Sequence, residues 1–331
     1  MNTEDAYGRA GVSQGTADLA VSRLVGALGA SKRRTLLPSG HYANVVSVAD
    51  DLGIAITTDG VGTKLLIAEA LGSWDTVGID CIAMNVNDVI CVGAEPIALV
   101  DYRAVDRADP DVAEAIGRGL AVGADQANID IVGGELAQLG DIVNGLDLAG
   151  ACFGTVAPDE LITGSEIRPG DSIIGLPSSG LHSNGYTLAR SALEELGWDD
   201  LSLGRPLGEV LLEPTTIYVK AVMALINSPA QVTGLAHITS GGLENLLRLD
   251  ADVTFEISDP LPVLPIFELI AQRASVPDQE MHEVFNMGCG FCVVTRAADE
   301  EQALSTLREF HPEAARIGAV TEGPHRVARA G

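Results

Sequence analysis

The sequence predicts an α+β protein of two domains, and three observations support this class. The chain has 331 residues, which suits two domains of about 150 residues each. Short β-branched runs alternate with longer stretches of helical periodicity. Between residues 157 and 171 this pattern gives way to a polar segment rich in proline and glycine, which is typical of a domain boundary. We therefore predict a first domain over residues 1–157 and a second over 165–331.

The first half predicts the order β-β-α-β-α-β-β, with the helices covering one face of a sheet. One of the two helices has a clear start, because Asp109 is a good capping residue and Pro110 suits the first helical position. The strands are predicted at 44–48, 54–58, 97–102, 129–132 and 146–156, and the helices at 76–91 and 110–127.

The second half begins with a strand of buried character and continues with helices and strands in mixed order. The helices are predicted at 186–196, 214–226, 243–249, 264–273 and 298–310. The strands are predicted at 172–176, 253–257, 290–295, 315–320 and 326–328. No internal repeat is evident.

The charge balance is unusual, since 46 acidic residues oppose 20 basic ones for a formal net charge of −26. A basic footprint for nucleic acid is absent, and an anionic membrane would repel this surface. The acidic residues are spread along the chain, which argues against a binding tail. Because only three residues are lysine (Lys32, Lys64 and Lys220), we interpret the excess as halophilic adaptation rather than as the lysine-rich pattern of hyperthermophiles.

Several features predict a cytoplasmic protein. The N-terminal residues lack the apolar core of a secretory signal, and polar residues interrupt the most apolar stretch, 82–100. The cysteines are odd in number, five, which does not suggest a disulfide framework. Cys289 and Cys292 have CxxC spacing but lie in a strand-like run with no second pair, so we expect buried free thiols.

The strongest candidate site is the segment 57–64, TTDGVGTK, in which a predicted strand ends in a carboxylate and two glycines. Glycines let the backbone approach an anion, Asp59 is suited to Mg²⁺, and Lys64 to a phosphate. Gly60, Gly62 and Thr63 complete the candidate loop. The alternative is a tight turn with a solvated lysine.

A second candidate is the helix within 78–96, on which polar residues share one face. At about 100° per residue, Asp80, Met84, Asn87, Asp88 and Cys91 fall together. Buried acids in an apolar helix must be paired or bind a cation. The alternative is that Asp80 caps the helix and Asp88 is exposed.

The third candidate is Gly133-Gly134-Glu135, where another predicted strand ends in glycines and a carboxylate. Asp59, Asp88 and Glu135 would together offer oxygen ligands from three elements, which suits Mg²⁺ bound to nucleotide phosphates. Each signal is weak by itself, since Gly-Gly-Glu is a common turn.

In the second domain, two segments combine small residues with the start of a helix. The first, SSGLHSNGY at 178–186, contains His182, Ser183 and Asn184; the second, HITSGG at 237–242, contains His237 and Ser240. A helix N-terminus attracts anions, but ordinary caps and turns remain the alternative for both segments. The segment FNMG at 285–288 predicts a specific turn or a Met/Phe core contact.

These segments, in this order, resemble the phosphoribosylformylglycinamidine cyclo-ligase family, the aminoimidazole ribonucleotide synthetases of purine biosynthesis. The resemblance covers nearly the whole chain. It is carried by TDGVGTK (58–64), GIDCIAMNVNDVICVGAEP (78–96), VGGE (132–135), SSGLHSNGY (178–186), HITSGG (237–242) and FNMG (285–288).

The resemblance implies an N-terminal α+β domain whose sheet forms a dimeric, barrel-like interface, and a C-terminal α/β sandwich domain. It implies ATP with Mg²⁺, a nucleotide substrate and a homodimer. Asp59, Asp88 and Glu135 would then hold the metal, and His182, His237 and Lys64 would be catalytic. The nucleotide would also contact Gly60, Gly62, Thr63, Lys64, Asn87, Gly133 and Gly134, and the substrate would contact His41, Ser183, Asn184 and Ser240.

Two segments depart from the family pattern. Residues 38–44 read PSGHYAN where the family often has a Gly/Phe-rich loop, and 136–140 read LAQLG where it commonly has TAEMP, so Gln138 replaces a carboxylate. Related enzymes, selenophosphate synthetase and thiamine-phosphate kinase, remain rivals. The former usually carries a reactive N-terminal cysteine, whereas no cysteine here precedes Cys81. A non-catalytic ATP-binding scaffold is the rival from another class.

Overall fold

The computed structural model describes residues 14–28 and 33–329, which contain two six-stranded sheets with their helices. Gly133 and the other predicted site residues all lie within this part of the chain, whereas Lys32 lies outside it. Among the described residues, no helix combines the length and apolar character needed to cross a bilayer.

The first sheet contains β1 (Thr35–Leu37), β2 (Asn44–Ala49), β3 (Leu52–Gly60), β4 (Glu95–Val105), β5 (Asp130–Gln138) and β6 (Leu146–Val156). Its order is β1-β2-β3-β6-β4-β5, and only β4 and β5 pair in parallel. The helices of this half are α1 (Gln14–Leu28), α2 (Leu65–Leu71), α3 (Asp75–Ile90) and α4 (Pro110–Ala127). All seven elements predicted here are confirmed, and α1, α2 and β1 are additional.

Helices α3 and α4 pack closely because glycines line their contact. A Cβ atom on Gly119 would lie 1.8 Å from the Asp75 carbonyl oxygen, and one on Gly78 would lie 2.3 Å from the Leu120 nitrogen. Asp109 caps α4 by accepting from the amides of Asp111 and Val112, as predicted. The two helices cover one face of the sheet, and its other face stays open.

The second sheet contains β7 (Ser172–Pro177), β8 (Val232–His237), β9 (Thr254–Ile257), β10 (Cys289–Thr295), β11 (Ala315–Thr321) and β12 (Arg326–Arg329). Its order is β12-β9-β11-β7-β10-β8, with only β9 and β12 parallel. The second domain is therefore mainly antiparallel, unlike the α/β arrangement that the resemblance implied. Its helices are α5 (Tyr186–Leu193), α6 (Leu207–Leu211), α7 (Val219–Ile226), α8 (Pro265–Ala274), α9 (Asp278–Val284) and α10 (Glu300–Arg308).

Two predicted elements of this half differ from the structure. The helix expected at 214–226 begins only at Val219, because the backbone amides of Thr215 and Tyr218 donate to side chains of the first domain. The helix expected at 243–249 is a 3₁₀ helix, Gly242–Arg248. Strand β8 and helices α6 and α9 were not predicted. All five cysteines are buried and free, which confirms the expectation for Cys289 and Cys292.

Candidate active site

Helix α3 connects the first sheet to the second domain. Most of its residues are buried, including the polar residues Asp80, Asn85 and Asn87. Asp80, Asn87 and Cys91, which follows the helix, all contact the second domain. The shared polar face predicted from the helical period is thus largely a contact between domains, and each buried polar group on it finds a partner.

Asn85 fixes the end of strand β3. Its amide oxygen accepts from the Asp59 backbone amide at 3.0 Å, and its amide nitrogen donates to the Asp59 carbonyl at 3.1 Å. The Asp59 carboxylate accepts from the Gly60 amide at 2.7 Å. Burial, and next the charge of Asp88, raise the pKa of Asp59 from 3.8 to about 6. The charge of Asp88 therefore acts on Asp59 where the strand ends.

Asp88 pairs with His237, whose Nδ1 lies 2.9 Å from a carboxylate oxygen. The neighbouring Asn87 fixes the tautomer. Its oxygen accepts from the Tyr218 amide, so its nitrogen is the donor, 3.5 Å from Nε2 of His237. Nε2 thus accepts and Nδ1–H donates to Asp88. His237 is fully buried with both ring nitrogens occupied, so it orients Asp88 and has no nitrogen free for a substrate.

Lys64, predicted to meet a phosphate, is fully buried and paired with Asp80 at 2.8 Å. Its ammonium group also donates to the backbone carbonyls of Glu213 and His182. Burial lowers the pKa of Lys64, and Asp80 opposes that effect. The lysine beside the glycine-rich turn therefore faces the second domain instead of open solvent.

His182 lies in the segment 178–186 with a left-handed backbone, φ +61°, and is almost fully buried. Its Nε2 accepts from the Ser179 amide at 3.3 Å, and its Nδ1 has no protein partner. Burial lowers the pKa of His182 well below its usual value. The amide nitrogen of Asn184 is likewise buried and unpartnered, whereas Ser183 contacts Thr215 at 3.1 Å. Two buried polar groups of this segment thus have no protein partner.

The FNMG turn supports this segment. The side-chain oxygen of Asn286 accepts from Ser178 and from the Gly288 amide, and its nitrogen donates to the Gly180 carbonyl. Gly185 has φ +74°, and a Cβ atom there would lie 2.2 Å from the Phe285 ring. The turn is therefore specific, and Phe285 also belongs to the core.

The remaining predicted residues lie around these groups. Gly62 adopts φ +71° at the start of a 3₁₀ turn, and the Thr63 hydroxyl lies 3.2 Å from that of Thr187 on α5. His41 lies 3.3 Å from a carboxylate oxygen of Asp250. Ser240 accepts, through its carbonyl, from the amide of Asn245. Sequence reasoning missed Asn245, Thr215 and Arg248, which bear no motif signal of their own. Asn245 holds the Ser240 carbonyl, Thr215 donates to Asp80, and the guanidinium group of Arg248 lies over the Tyr42 ring, 5.0 Å from its centroid.

Glu135 lies on the opposite face of the sheet from Asp59. Paired residues of neighbouring strands share a face, and successive residues alternate. Asp59 pairs with Gly150, and Gly150 pairs with Asp101, which is buried toward the helices. Glu135 pairs with Tyr102, which is 45% exposed on the open face. The glutamate lines an open-face cavity of about 350 Å³ with Thr58, Val100 and Ala149.

The predicted metal triad is therefore not assembled within one chain. Among the described residues, no three histidine, cysteine or acidic side chains lie close enough together to hold a metal ion. Asp59 and Asp88 still fit one, because Mg²⁺ is commonly held by one or two carboxylates together with phosphate oxygens. Burial first, and the charge of Asp88 second, raise the pKa of Asp59, and a bound cation would offset both effects.

Comparison with protein families covers both halves of the chain. Residues 40–156 match the N-terminal domain of the AIR synthase related proteins, and residues 168–330 match their C-terminal domain. Relatives named phosphoribosylformylglycinamidine cyclo-ligase are similar over most of their length. The Methanobrevibacter smithii protein is 48% identical over 92% of this chain and 91% of its own. The Thermococcus kodakarensis protein is 54% identical over 86% of this chain and 84% of its own.

Solved structures with lower identity share the fold. A HypE–HypF complex contains a chain with TM-score 0.68 and 20% identity, covering 94% of this chain and 95% of its own. Thiamine monophosphate kinase from Aquifex aeolicus gives a TM-score of 0.63 and 16% identity, covering 97% of this chain and 96% of its own. With both domain matches and relatives near 50% identity, the chain belongs to the family of AIR synthase related proteins.

Proposed function

We infer that the protein cyclises formylglycinamidine ribonucleotide to aminoimidazole ribonucleotide, converting ATP to ADP and phosphate. The observation that carries this inference is sequence identity to relatives named for that reaction. The identity is 45–54% over most of both chains. The site supports it, because Asp88 pairs with His237 of the second domain, and Lys64, which ends the Asp59 turn, donates to the carbonyl of His182.

Asp59 and Asp88 are the residues that would hold Mg²⁺ with the nucleotide phosphates. The ion would neutralise phosphate charge when bound. Asn85 holds the backbone of Asp59, and the Gly60 amide donates to the Asp59 carboxylate. His237 pairs with the carboxylate of Asp88, so each acidic side chain has one partner within the protein. In the predicted phosphate turn, the Gly60 amide already donates to the Asp59 carboxylate. The backbone amides of Gly62 and Thr63 are the ones that would be offered to phosphate oxygens.

In the reaction, the formyl-amide oxygen of the substrate takes the γ-phosphoryl group of ATP. An amidine nitrogen then attacks the activated carbon, phosphate leaves, and the imidazole ring closes with loss of a proton. The protein's part is mainly positioning. Asn184 and the unpartnered Nδ1 of His182 are the candidates for substrate contacts, because both nitrogens are buried without partners.

The open face of the first sheet supports a homodimer. Apolar side chains stay exposed along neighbouring strands, among them Ile56 at 46% and Tyr102 at 45%. A face of this kind marks an interaction site, and a second copy would cover it with the same surface. Glu135 lies on this face, so its side chain would belong to the interface. The acidic excess of the whole chain fits a salt-rich cytoplasm.

The direct test supplies the purified protein with ATP, Mg²⁺ and one candidate substrate at a time. We expect ADP release only with formylglycinamidine ribonucleotide, and none with thiamine phosphate or selenide. Asp50→Asn, an exposed acid at the turn after β2, serves as a matched control that keeps full activity. ADP release with thiamine phosphate instead would favour the kinase relatives, and no release with any substrate would favour a scaffold.

A further inference from the structure

The ammonium group of Lys64 has no donor left for a phosphate. A lysine ammonium has three N–H donors. Its protein partners are the carboxylate of Asp80, at 2.8 and 2.9 Å, the Glu213 carbonyl at 2.6 Å and the His182 carbonyl at 3.3 Å. The side chain is 0% exposed, and Tyr186 lies over it with its ring centroid 5.7 Å from Nζ. These three partners account for all three donors.

Asp80 is committed to the same contacts. The carboxylate oxygen that meets Lys64 at 2.9 Å also accepts from the Thr215 amide at 2.7 Å and the Thr215 hydroxyl at 2.6 Å. The Thr215 hydroxyl is in turn 3.1 Å from the hydroxyl of Ser183. Since Thr215 donates its own hydroxyl proton to Asp80, Ser183 donates to Thr215.

The pair and its partners come from four segments. Lys64 ends the glycine-rich turn that follows Asp59, and Asp80 lies on α3. Their remaining partners are in the second domain, at residues 182–183 and 213–215. The pair therefore links the candidate phosphate turn directly to the segment that presents His182 and Asn184.

We propose that Lys64 is a positioning residue, which with Asp80 fixes the His182 segment against the Asp59 turn, and is not a phosphate ligand. The strained left-handed backbone of His182 fits this role, because a non-glycine residue keeps such a conformation only where its surroundings impose it. Lys64 holds the carbonyl of that very residue. The proposal deepens the proposed function and rests on it.

The first test uses the unaltered protein and amine-reactive labelling. The sequence has three lysines, so mass spectrometry can follow each one. Lys220 is the exposed reference, since it donates to the Asp125 carbonyl at the surface. We expect Lys64 to react at least 10-fold more slowly than Lys220. We also expect added ADP with Mg²⁺ to leave the labelling rate of Lys64 unchanged. A Lys64 that reacts as fast as Lys220, or that ADP protects, would overturn the proposal. This result does not depend on which substrate the enzyme uses.

The second test is a double-mutant cycle with K64M and D80N. We expect each single variant to lower kcat at least 10-fold with the KM for ATP within about twofold, and the double variant to lose no more than the worse single variant. Losses that multiply, or a KM for ATP raised 10-fold in K64M alone, would mean that Lys64 binds phosphate.

Thr215→Val keeps the tests decisive if K64M does not fold, because it removes one Asp80 contact and leaves Lys64 in place. We expect a lower kcat with an unchanged KM for ATP. An unchanged kcat would contradict the proposal. Failure of the proposed function is recognised separately, since the unaltered enzyme would then release no ADP with formylglycinamidine ribonucleotide.

Discussion

Asp59→Asn should stabilise the metal-free protein and impair the enzyme. The pKa of Asp59 is raised to about 6 by burial and by Asp88, so the folded state prefers the neutral acid. Between pH 4 and 6 the folded protein binds more protons here than the unfolded chain does, and stability falls as pH rises. Above about pH 7 the full cost of holding the charge is present. Asparagine carries no charge and keeps an oxygen for the Gly60 amide.

The magnitude follows from the two pKa values. A rise from 3.8 to about 6 corresponds to about 3 kcal/mol at pH 8, since one pH unit is worth about 1.4 kcal/mol. At pH 4.5 the same pKa difference lowers the free energy of unfolding by about 1 kcal/mol. Because Asp59 is only partly buried, we expect a gain of about 1–3 kcal/mol for the variant at pH 8 and a smaller one at pH 4.5.

The assay is urea unfolding of both proteins in EDTA and constant KCl at the two pH values. Asp50→Asn controls for the general benefit of removing one negative charge from a chain of net charge −26. Added Mg²⁺ with ADP should stabilise the unaltered protein more than Asp59→Asn, and kcat should fall at least 100-fold. A variant that is less stable at pH 8, or whose gain is the same at both pH values, would refute this reasoning.

Four further predictions follow from the charge, the site and the first sheet. Raising KCl from 0.15 to 1 M should increase activity and the unfolding temperature. The screening length falls from about 8 to about 3 Å, which weakens the repulsion among the acidic residues. A steady decline of both quantities would argue against salt adaptation. Asp88→Asn should abolish turnover at an unchanged unfolding temperature, because the amide can still accept from His237 but carries no charge; normal turnover would remove Asp88 from the site. Tyr102→Asp should convert a dimer to monomers in light scattering, and an unchanged mass would place the interface elsewhere. Gly134→Ala should lower the free energy of unfolding by about 1–3 kcal/mol, because its Cβ would lie 2.2 Å from the Asp101 carboxylate. The control Gly117→Ala should not destabilise the protein, because its Cβ would have no neighbour within 4 Å. Equal effects of the two variants would contradict the close approach at Gly134.

Local patterns predicted seven elements of the first domain, though not α1, α2 and β1, and they singled out Asp59 and Asp88. Asp59 ends a strand of clear alternation, and Asp88 lies on a helix with a clear period. Both signals are local, and in the structure the charge of Asp88 acts on Asp59. The helix pattern also required that a buried Asp80 have a partner.

The partner itself could not be read from the sequence. Lys64 is sixteen residues before Asp80, beside glycines that are typical of phosphate loops, and only the approach of the second domain decides which way its ammonium group turns. The prediction that Glu135 lies beside Asp59 and Asp88 was wrong for a similar reason. Strand alternation assigns a face only once the register is known, and a bulge between Leu99 and Val100 shifts the pairing of β4 with β5.

Helix α3 has a consequence for how the protein folds. Asp80 and Asn87 find their partners on Thr215, Thr216 and Tyr218, in the other domain, while Asn85 is satisfied within its own. A first domain without the second would expose this helix face to water and lose the hydrogen bonds between the domains, each worth about 0.5–1.5 kcal/mol net and about 1.5–3 kcal/mol for those to the Asp80 carboxylate. The two sheets should therefore unfold in one cooperative transition, although the chain is long enough for two independent ones.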